Sequence, residues 1–275
     1  MIIDCFTFFN ELDLLQVRLE ELYSHVDKFV LVEAAVTQSL LDKPFYFEDN
    51  KHKLSKFQDK IVHIKIPKNE CVNNDDNLWN MENFQRNYIQ KAVIDLHPDA
   101  RDIIMISDLD EIPRQQSIQA LKTVFSDPKN HDLIYSLELD FFAYFLNLKA
   151  SNRSWVGTTA CNFSTFKQHS CQSIRNSKDY YPLIVNAGWH FSWLGGYEKI
   201  YQKSLSCIEP FDKTKLPSLE QFKEHFEKFK QSGDRFFIHL EQLDKKETPF
   251  SRVNIDKYFP EVILNNLNHY SDHII

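Results

Sequence analysis

The residues best suited to chemistry are three carboxylates, Asp108, Asp110 and Glu111, which follow a short apolar run at positions 103–106. In an extended segment side chains repeat every second residue, so Asp108 and Asp110 are expected on the same side. Two carboxylates on one side can hold a divalent cation such as Mg²⁺ or Mn²⁺. An isolated Asp-x-Asp is more often an acidic turn that caps a helix. Here the apolar run before it and Pro113 after it favour a metal site.

A strand and a helix must position these carboxylates. The apolar run is too short for a helix and rich in β-branched residues, so it predicts a buried strand, and Pro113 suits the first turn of a following helix. In open α/β sheets, ligands bind at the carboxyl ends of the strands. Further strands are predicted at 2–8, 29–32 and 61–66. Because helices or long crossovers separate them, the pattern predicts a parallel, Rossmann-like half-domain.

A second dense signal is the segment 188–196, in which His190 lies between Trp189 and Trp193 and is followed by the pair Gly195 and Gly196. A histidine among apolar residues is more often a hydrogen-bonded core residue. The tryptophans would anchor the segment on both sides, however, and the glycines would let it bend. We therefore predict that His190 is a ligand on a mobile loop.

Two charged residues and an aromatic cluster are further candidates. Glu33 ends the second predicted strand, where it could contact a ribose or a base edge or be an ordinary strand-end carboxylate. Arg86 lies on a helix predicted at 79–96, and it could face a diphosphate or the solvent. Aromatic residues between Tyr135 and Trp155 could line a sugar-binding groove, although most such residues belong to a core.

Composition favours one globular domain. The chain has 275 residues, a hydrophobic fraction of 43% and a net charge of -7, which suits a sizeable core and disfavours a nucleic-acid partner. No GxGxxG or Walker A motif is present, so a dinucleotide or P-loop site has no support. We predict a single domain over 1–275, with a nucleotide-binding half at 1–113 and an acceptor-side half at 114–275.

The sequence also carries signals about compartment. Its five cysteines are odd in number and form no CxxC pair, so zinc is disfavoured and reduced thiols are expected, including Cys161 and Cys171. The first residues lack the basic and apolar regions of a signal peptide, and no apolar run approaches the ~20 residues of a membrane span. We therefore expect a cytoplasmic protein without an integral membrane segment.

Two segments together resemble glycosyltransferase family 17, the family of β-1,4-mannosyl-glycoprotein β-1,4-N-acetylglucosaminyltransferases and their relatives. These are SDLDEIP at 107–113 and AGWHFSW at 187–193. The short segments at 10–11, 13–18 and 26–27, Glu33, and the segment EKIYQK at 198–203 are also similar to the family pattern. The resemblance implies an α/β fold of the GT-A type, Rossmann-like, with a mostly parallel sheet flanked by helices and an elaborated C-terminal half. It implies an inverting transfer from a nucleotide sugar, UDP-GlcNAc by default.

The resemblance also implies roles for single residues. A Mn²⁺ or Mg²⁺ ion held by Asp110, by Asp108 directly or through water, and by His190 would bridge the two phosphates of the donor. Lys203 and Arg86 are candidate phosphate partners. The acceptor would be a glycan or glycolipid, and a lipid-linked acceptor would bring peripheral contact with a membrane.

An inverting transfer needs a carboxylate base that takes the proton of the acceptor hydroxyl. Asp140 is the first candidate, because it follows a predicted strand beside the aromatic cluster. Glu198 and Glu111 remain open as alternatives.

Two other functions stay open at the level of the sequence. An apolar run followed by Asp-x-Asp also occurs in haloacid-dehalogenase phosphatases, in which the first Asp is a nucleophile. A non-catalytic glycan-binding domain could share the aromatic groove without needing the carboxylate pair. Release of UDP from a UDP-sugar, as against release of phosphate from an aryl phosphate, distinguishes the transferase from the phosphatase.

Overall fold

The computed structural model describes residues 1–71, 80–207, 216–232 and 249–275. The strands are β1 (Ile2–Phe8), β2 (Lys28–Ala34), β3 (Ile61–Ile66), β4 (Ile103–Asp108), β5 (Glu111–Pro113), β6 (Ile134–Ala143), β7 (Leu148–Asn162), β8 (Leu183–Ser192) and β9 (Phe250–Arg252). The α-helices are α1 (Leu12–Leu22), α2 (Tyr46–Asn50), α3 (Asn80–Ile94), α4 (Gln115–Ser126), α5 (Phe163–Phe166), α6 (Cys171–Asn176), α7 (Gly196–Ser206), α8 (Leu219–Ser232) and α9 (Glu261–Asn265).

The described strands form one sheet in the order β3-β2-β1-β4-β7-β6-β8-β5, with β9 beside β7. The first four strands pair in parallel, as the sequence predicts. β6 and β8 are also parallel, whereas β7 pairs antiparallel with β4, β6 and β9, and β5 pairs antiparallel with β8. The predicted α/β class with a helix-flanked sheet is confirmed.

Apolar side chains on both faces of the central strands hold the sheet between its helices. In β4, Ile103 and Met105 pack into one core cluster, whereas Ile104 and Ile106 pack into the cluster on the opposite face. Strands that are buried on both faces appear in sequence as continuous apolar runs. This explains why the run at 103–106 has no alternating pattern.

The parallel half brings the carboxyl ends of β1, β2 and β4 to one edge of the sheet. The helix predicted at 79–96 is observed as α3, and its first predicted residue, Trp79, lies outside the described residues. β5 lies within the first predicted half of the domain but pairs with β8 of the second half. The acidic segment is therefore held by both halves of the sheet.

Two findings concern the whole chain. Among the described residues, no helix is both long enough and apolar enough to cross a membrane. All five cysteines lie within the described residues and none is in a disulfide. Cys5, Cys161 and Cys171 are buried, and burial raises the pKa of each of these thiols.

Candidate active site

The acidic segment does not continue as one extended strand. β4 ends at Asp108, Leu109 and Asp110 form a turn, and β5 begins at Glu111. The expectation that Asp108 and Asp110 follow one another along a single extended strand is therefore wrong. Each of the three carboxylates has its own set of partners.

Asp108 is held by two arginines. Arg86 Nη2 donates to its Oδ1 and Arg175 Nη2 donates to its Oδ2, each at 2.8 Å. Burial opposes ionisation of Asp108, but the charges of Arg175 and Arg86 outweigh burial and hold its pKa well below the usual range. The carboxylate is therefore ionised, and both of its oxygens are already engaged.

Glu111 is fully buried, and it shares Arg175 with Asp108. Its carboxylate accepts hydrogen bonds from both terminal nitrogens of Arg175, from Trp155 Nε1 at 2.6 Å, and from the backbone N–H of Asp108 at 3.2 Å. These contacts make Glu111 a positioning residue for Asp108 and Trp155. Glu111 does not line the cavity, whereas a base must reach the acceptor hydroxyl.

Another buried arginine, Arg18, holds the backbone of the acidic segment. Arg18 on α1 has no exposed surface, and it donates to the carbonyl oxygens of Asp108 and Leu109 at 3.2 Å and of Glu111 at 2.7 Å. Asp4 on β1 balances the charge of Arg18 with two hydrogen bonds of 2.7 and 2.6 Å. Arg18 thereby sets the path of the turn that carries Asp110.

Asp110 faces His190 and Lys203. Its Oδ1 lies 3.5 Å from His190 Nε2, and its Oδ2 lies 3.6 Å from Lys203 Nζ. Burial opposes ionisation of Asp110, but Lys203 and His190 outweigh burial and lower its pKa. The three groups form a compact polar cluster that brings together residues of the acidic turn, β8 and α7.

His190 lies on β8 and not on a mobile loop, so that part of the prediction is wrong. Backbone pairing with both β5 and β6 fixes its position, and its ring is stacked on Phe141 at 5.2 Å and tilted against Trp155 at 4.5 Å. Gly195 and Gly196 instead stand where α7 begins. The side chain is 8% exposed, and its Nδ1 has no hydrogen-bond partner. Rigid packing therefore directs Nε2 toward Asp110.

These residues face a cavity of about 290 Å³ at the carboxyl edge of the parallel half. Its walls come from both halves of the chain, and they include Thr7 in β1, Phe9 just after β1, Thr37 and Lys43 after β2, Gln85 on α3, and Ser192 at the end of β8. Asp108, Asp110, His190 and Lys203 all line it. Four of the predicted site residues thus meet at one cavity.

Glu33 and Arg86 lie behind the wall of this cavity. Glu33 is fully buried, and its oxygens accept from Lys43 Nζ at 3.1 Å, His63 Nε2 at 3.0 Å and the backbone N–H of Tyr46 at 2.5 Å. Arg86 is 3% exposed and directs its charge to Asp108 and Glu82. Glu33 positions Lys43, which lines the cavity. Arg86 positions Asp108.

The first-choice base, Asp140, does not line the cavity, because side chains alternate along β6. Its neighbour Phe141 faces the cavity and stacks on His190, so Asp140 points to the other face of the sheet. There it pairs with Arg114 at 3.0 Å and Lys149 at 2.7 Å. Glu198 is exposed in the first turn of α7 and accepts from Tyr197 Oη at 3.0 Å, outside the cavity lining.

Several functional residues were missed from the sequence. Arg18 and Arg175 are the main cations that position the acidic segment, and Glu11 and Glu82 line the cavity. Arg18 stands on the apolar face of its helix, and a charged residue there needs a buried partner. That pattern could have identified it. No sequence pattern marks Arg175, since its partners are 64 and 67 positions away.

Two side chains of the cavity have the chemistry to hold a cation. Among the described residues, no group of three His, Cys, Asp or Glu side chains is arranged to hold a metal ion. The ionised Asp110 and the Nε2 of His190 do fit one, because an oxygen and an imidazole nitrogen 3.5 Å apart can be neighbouring ligands of one ion such as Mn²⁺. Nucleotide-dependent enzymes often take the remaining ligands from substrate phosphates and water.

Comparison with known proteins gives one family. The profile described as Glycosyltransferase family 17 matches residues 1–208 of the chain. No curated protein gives a significant match to the chain.

Among solved structures, the chain is similar to a 4-diphosphocytidyl-2C-methyl-D-erythritol synthase, with 12% identity, a TM-score of 0.39 and coverage of 68% of this chain and 88% of that one. It is also similar to the inositol-1-phosphate CTP transferase from T. maritima, with 11% identity and a TM-score of 0.36. The match covers 81% of this chain and 96% of that one. A third similar structure is a glycosyltransferase involved in the glycosylation of the major capsid of PBCV-1, with 10% identity and a TM-score of 0.32. The match covers 82% of this chain and 98% of that one.

Proposed function

Because the chain belongs to glycosyltransferase family 17, we propose that it transfers a sugar from a UDP-sugar to a hydroxyl group of a glycan or glycolipid acceptor, with inversion at the anomeric carbon. N-acetylglucosamine is the default sugar, because the family 17 enzymes that the sequence resembles are N-acetylglucosaminyltransferases. The family membership supports the transferase class. The donor, the inversion and the cation dependence are our proposal.

The observation that carries the proposal is the pairing of Asp110 with His190 inside the cavity. Asp110 is kept ionised beside Lys203, and the 3.5 Å between Asp110 Oδ1 and His190 Nε2 suits two ligands of one divalent cation. When bound, such a cation supplies Lewis-acid stabilisation of the negative charge that develops on the departing diphosphate.

The side chains of the protein divide the remaining work. Lys203 adds a positive charge 3.6 Å from Asp110 for the diphosphate, and the aromatic and hydroxyl groups near Phe9 and Thr37 suit the nucleoside. Asp108 is held ionised by Arg86 and Arg175, so it adds a fixed negative charge to the cavity wall. His190 is buried and packs against both Phe141 and Trp155, which fix the orientation of its ring.

The phosphatase alternative loses support at Asp108. A nucleophilic aspartate needs an oxygen with access to the phosphorus atom, and both oxygens of Asp108 are engaged with arginines. The matching family is also one of glycosyltransferases and not of phosphatases.

Release of UDP from UDP-GlcNAc tests the proposal. With Mn²⁺ present, we expect the wild type to release UDP and Asp110→Asn to lose the activity by ~10²-fold or more, because the amide removes the charge that binds the cation. Asp132→Asn is the control, since Asp132 is exposed and does not line the cavity. Unchanged turnover in Asp110→Asn, or full wild-type activity in EDTA, would refute the metal-dependent mechanism.

A further inference from the structure

A second cavity, of about 550 Å³, lies beside the first and shares three of its lining residues, Glu82, Asp108 and Trp155. Trp155 forms the wall between the two, because one side of its ring meets His190 and Lys178 Nζ lies 4.1 Å from its centroid. The other lining residues come from α3, from α6 and from the segment that follows α6. A ligand in this second cavity would meet the donor cavity at Glu82 and Asp108.

The side chains of the second cavity suit a ligand with many hydroxyl groups. Its two arginines are committed to carboxylates, since Arg86 pairs with Glu82 and Asp108, and Arg175 pairs with Asp108 and Glu111. Most of the remaining polar lining consists of the side-chain amides of Asn83, Gln172 and Asn176, of which Gln172 accepts from Arg86 Nη1 and donates to Asn176 Oδ1 at 2.8 Å. An amide both donates and accepts hydrogen bonds, as sugar hydroxyls do.

Glu82 stands at the junction with one oxygen left for a substrate. Its Oε1 accepts from Arg86 Nη2 at 2.7 Å, and no contact with its Oε2 is recorded within the part of the chain that the structure describes. The side chain is 18% exposed. Asp108, the other carboxylate that lines both cavities, has both oxygens engaged by arginines. Glu82 is therefore the carboxylate at the junction that is able to accept a proton.

We propose that the second cavity is the subsite for an acceptor sugar and that Glu82 is the catalytic base. The inference rests on the proposed transferase function. Glu82 Oε2 takes the proton of the acceptor hydroxyl as that oxygen forms the bond to the anomeric carbon. The bond from this carbon to the diphosphate breaks, and its electron pair leaves with UDP. Arg86 holds Glu82 and Asp108 at the border of the two cavities.

The test measures UDP release from UDP-GlcNAc with Mn²⁺, alone and with methyl β-D-mannoside, β-D-glucoside and β-D-galactoside as acceptor probes. We expect at least one glycoside to stimulate release by the wild type. Glu82→Gln should lower the stimulated kcat by ~10²–10⁴-fold while the Kd for UDP stays within about twofold. Glu82→Asp, which keeps the carboxylate, should retain more activity than Glu82→Gln.

A second variant tests the subsite without touching the base. Asn176→Ala should raise the KM for the stimulating glycoside by about 5- to 30-fold with kcat and the Kd for UDP unchanged, because one hydrogen bond to the acceptor is lost. Asn50→Ala is the matched control, since Asn50 lies on α2 and lines neither cavity. This variant decides the subsite if Glu82→Gln proves to be unfolded.

The outcomes separate this inference from the proposed function. A wild type that neither binds UDP with Mn²⁺ nor releases it from the donor refutes the transferase proposal itself. A wild type that releases UDP but is stimulated by none of the glycosides overturns the acceptor subsite. Wild-type stimulated kcat in Glu82→Gln overturns the role of Glu82 as the base.

Discussion

At the scale of single residues, the three neighbouring carboxylates of one short motif have three different tasks. Glu111 is a buried partner of Arg175, Asp108 is held ionised at the cavity wall, and Asp110 faces His190. The sequence identified all three as chemically important. It could not divide the tasks among them, because the division depends on a turn at 109–110 and on arginines far away in the chain.

The first prediction concerns the buried pair Arg18–Asp4. Arg18→Met should lower the free energy of unfolding by ~3–5 kcal/mol, because it leaves the Asp4 carboxylate buried without its partner. Urea denaturation measures this change. Asp4→Leu combined with Arg18→Met removes the stranded charge and should recover part of the loss.

Lys56→Met is the matched control for Arg18→Met. Lys56 pairs with Glu20 on the surface, where its side chain is 62% exposed, so the change should cost less than ~1 kcal/mol. Equal losses for Arg18→Met and Lys56→Met would contradict the anchoring role of Arg18.

At the scale of elements, the pairing of β5 with β8 joins the acidic segment to the histidine. Glu111 is opposite His190 and Pro113 is opposite Gly188 in this antiparallel pair. The segment 188–196 was predicted as a loop because its glycines suggested a hinge. Gly188 has a different task, since a Cβ atom there would lie 2.1 Å from the carbonyl oxygen of Ile112. The glycine permits close approach of two backbones.

The second prediction follows from this close approach. Gly188→Ala should lower the free energy of unfolding by ~1–3 kcal/mol, because β5 must move away from β8 to admit the methyl group. The shift should also weaken Mn²⁺-dependent UDP binding several-fold, since β5 and the acidic turn are continuous. Thermal unfolding and calorimetric titration measure the two effects.

Gly196→Ala provides the comparison for Gly188→Ala. Apart from its chain neighbours and the backbone of its own helix, no atom lies within 4 Å of the position that a Cβ would take at Gly196, although its φ of +78° disfavours alanine. This variant should therefore show only the backbone cost of about 1 kcal/mol. A Gly188→Ala protein that is no less stable than Gly196→Ala would contradict the proposed clash with β5.

At the scale of the whole molecule, the first half was the more predictable. The parallel strands β1 to β4 follow from apolar runs and intervening helices, and they were all predicted. In the second half, β7 is 15 residues long and pairs with three other strands, and long-range pairing of this kind leaves no local pattern. The position of Asp140 outside the cavity could not be predicted for this reason, because the face to which a side chain points depends on the register of β6.

The central claim is that Asp110 and His190 hold the same cation for the diphosphate of the donor. The two residues are 80 positions apart in sequence and lie within 3.5 Å in the structure. If they bind one ion, the losses caused by replacing each of them cannot be additive, because the second replacement has little left to remove.

The direct test is a double-mutant cycle on the affinity for UDP at saturating Mn²⁺, measured by calorimetry in folded Asp110→Asn, His190→Ala and the double variant. We predict that each single change weakens binding by at least ~10-fold, that the double variant is little weaker than either one, and that EDTA removes the difference from the wild type. Wild-type affinity in His190→Ala, or losses that simply add in the double variant, would contradict the claim that both residues hold one cation.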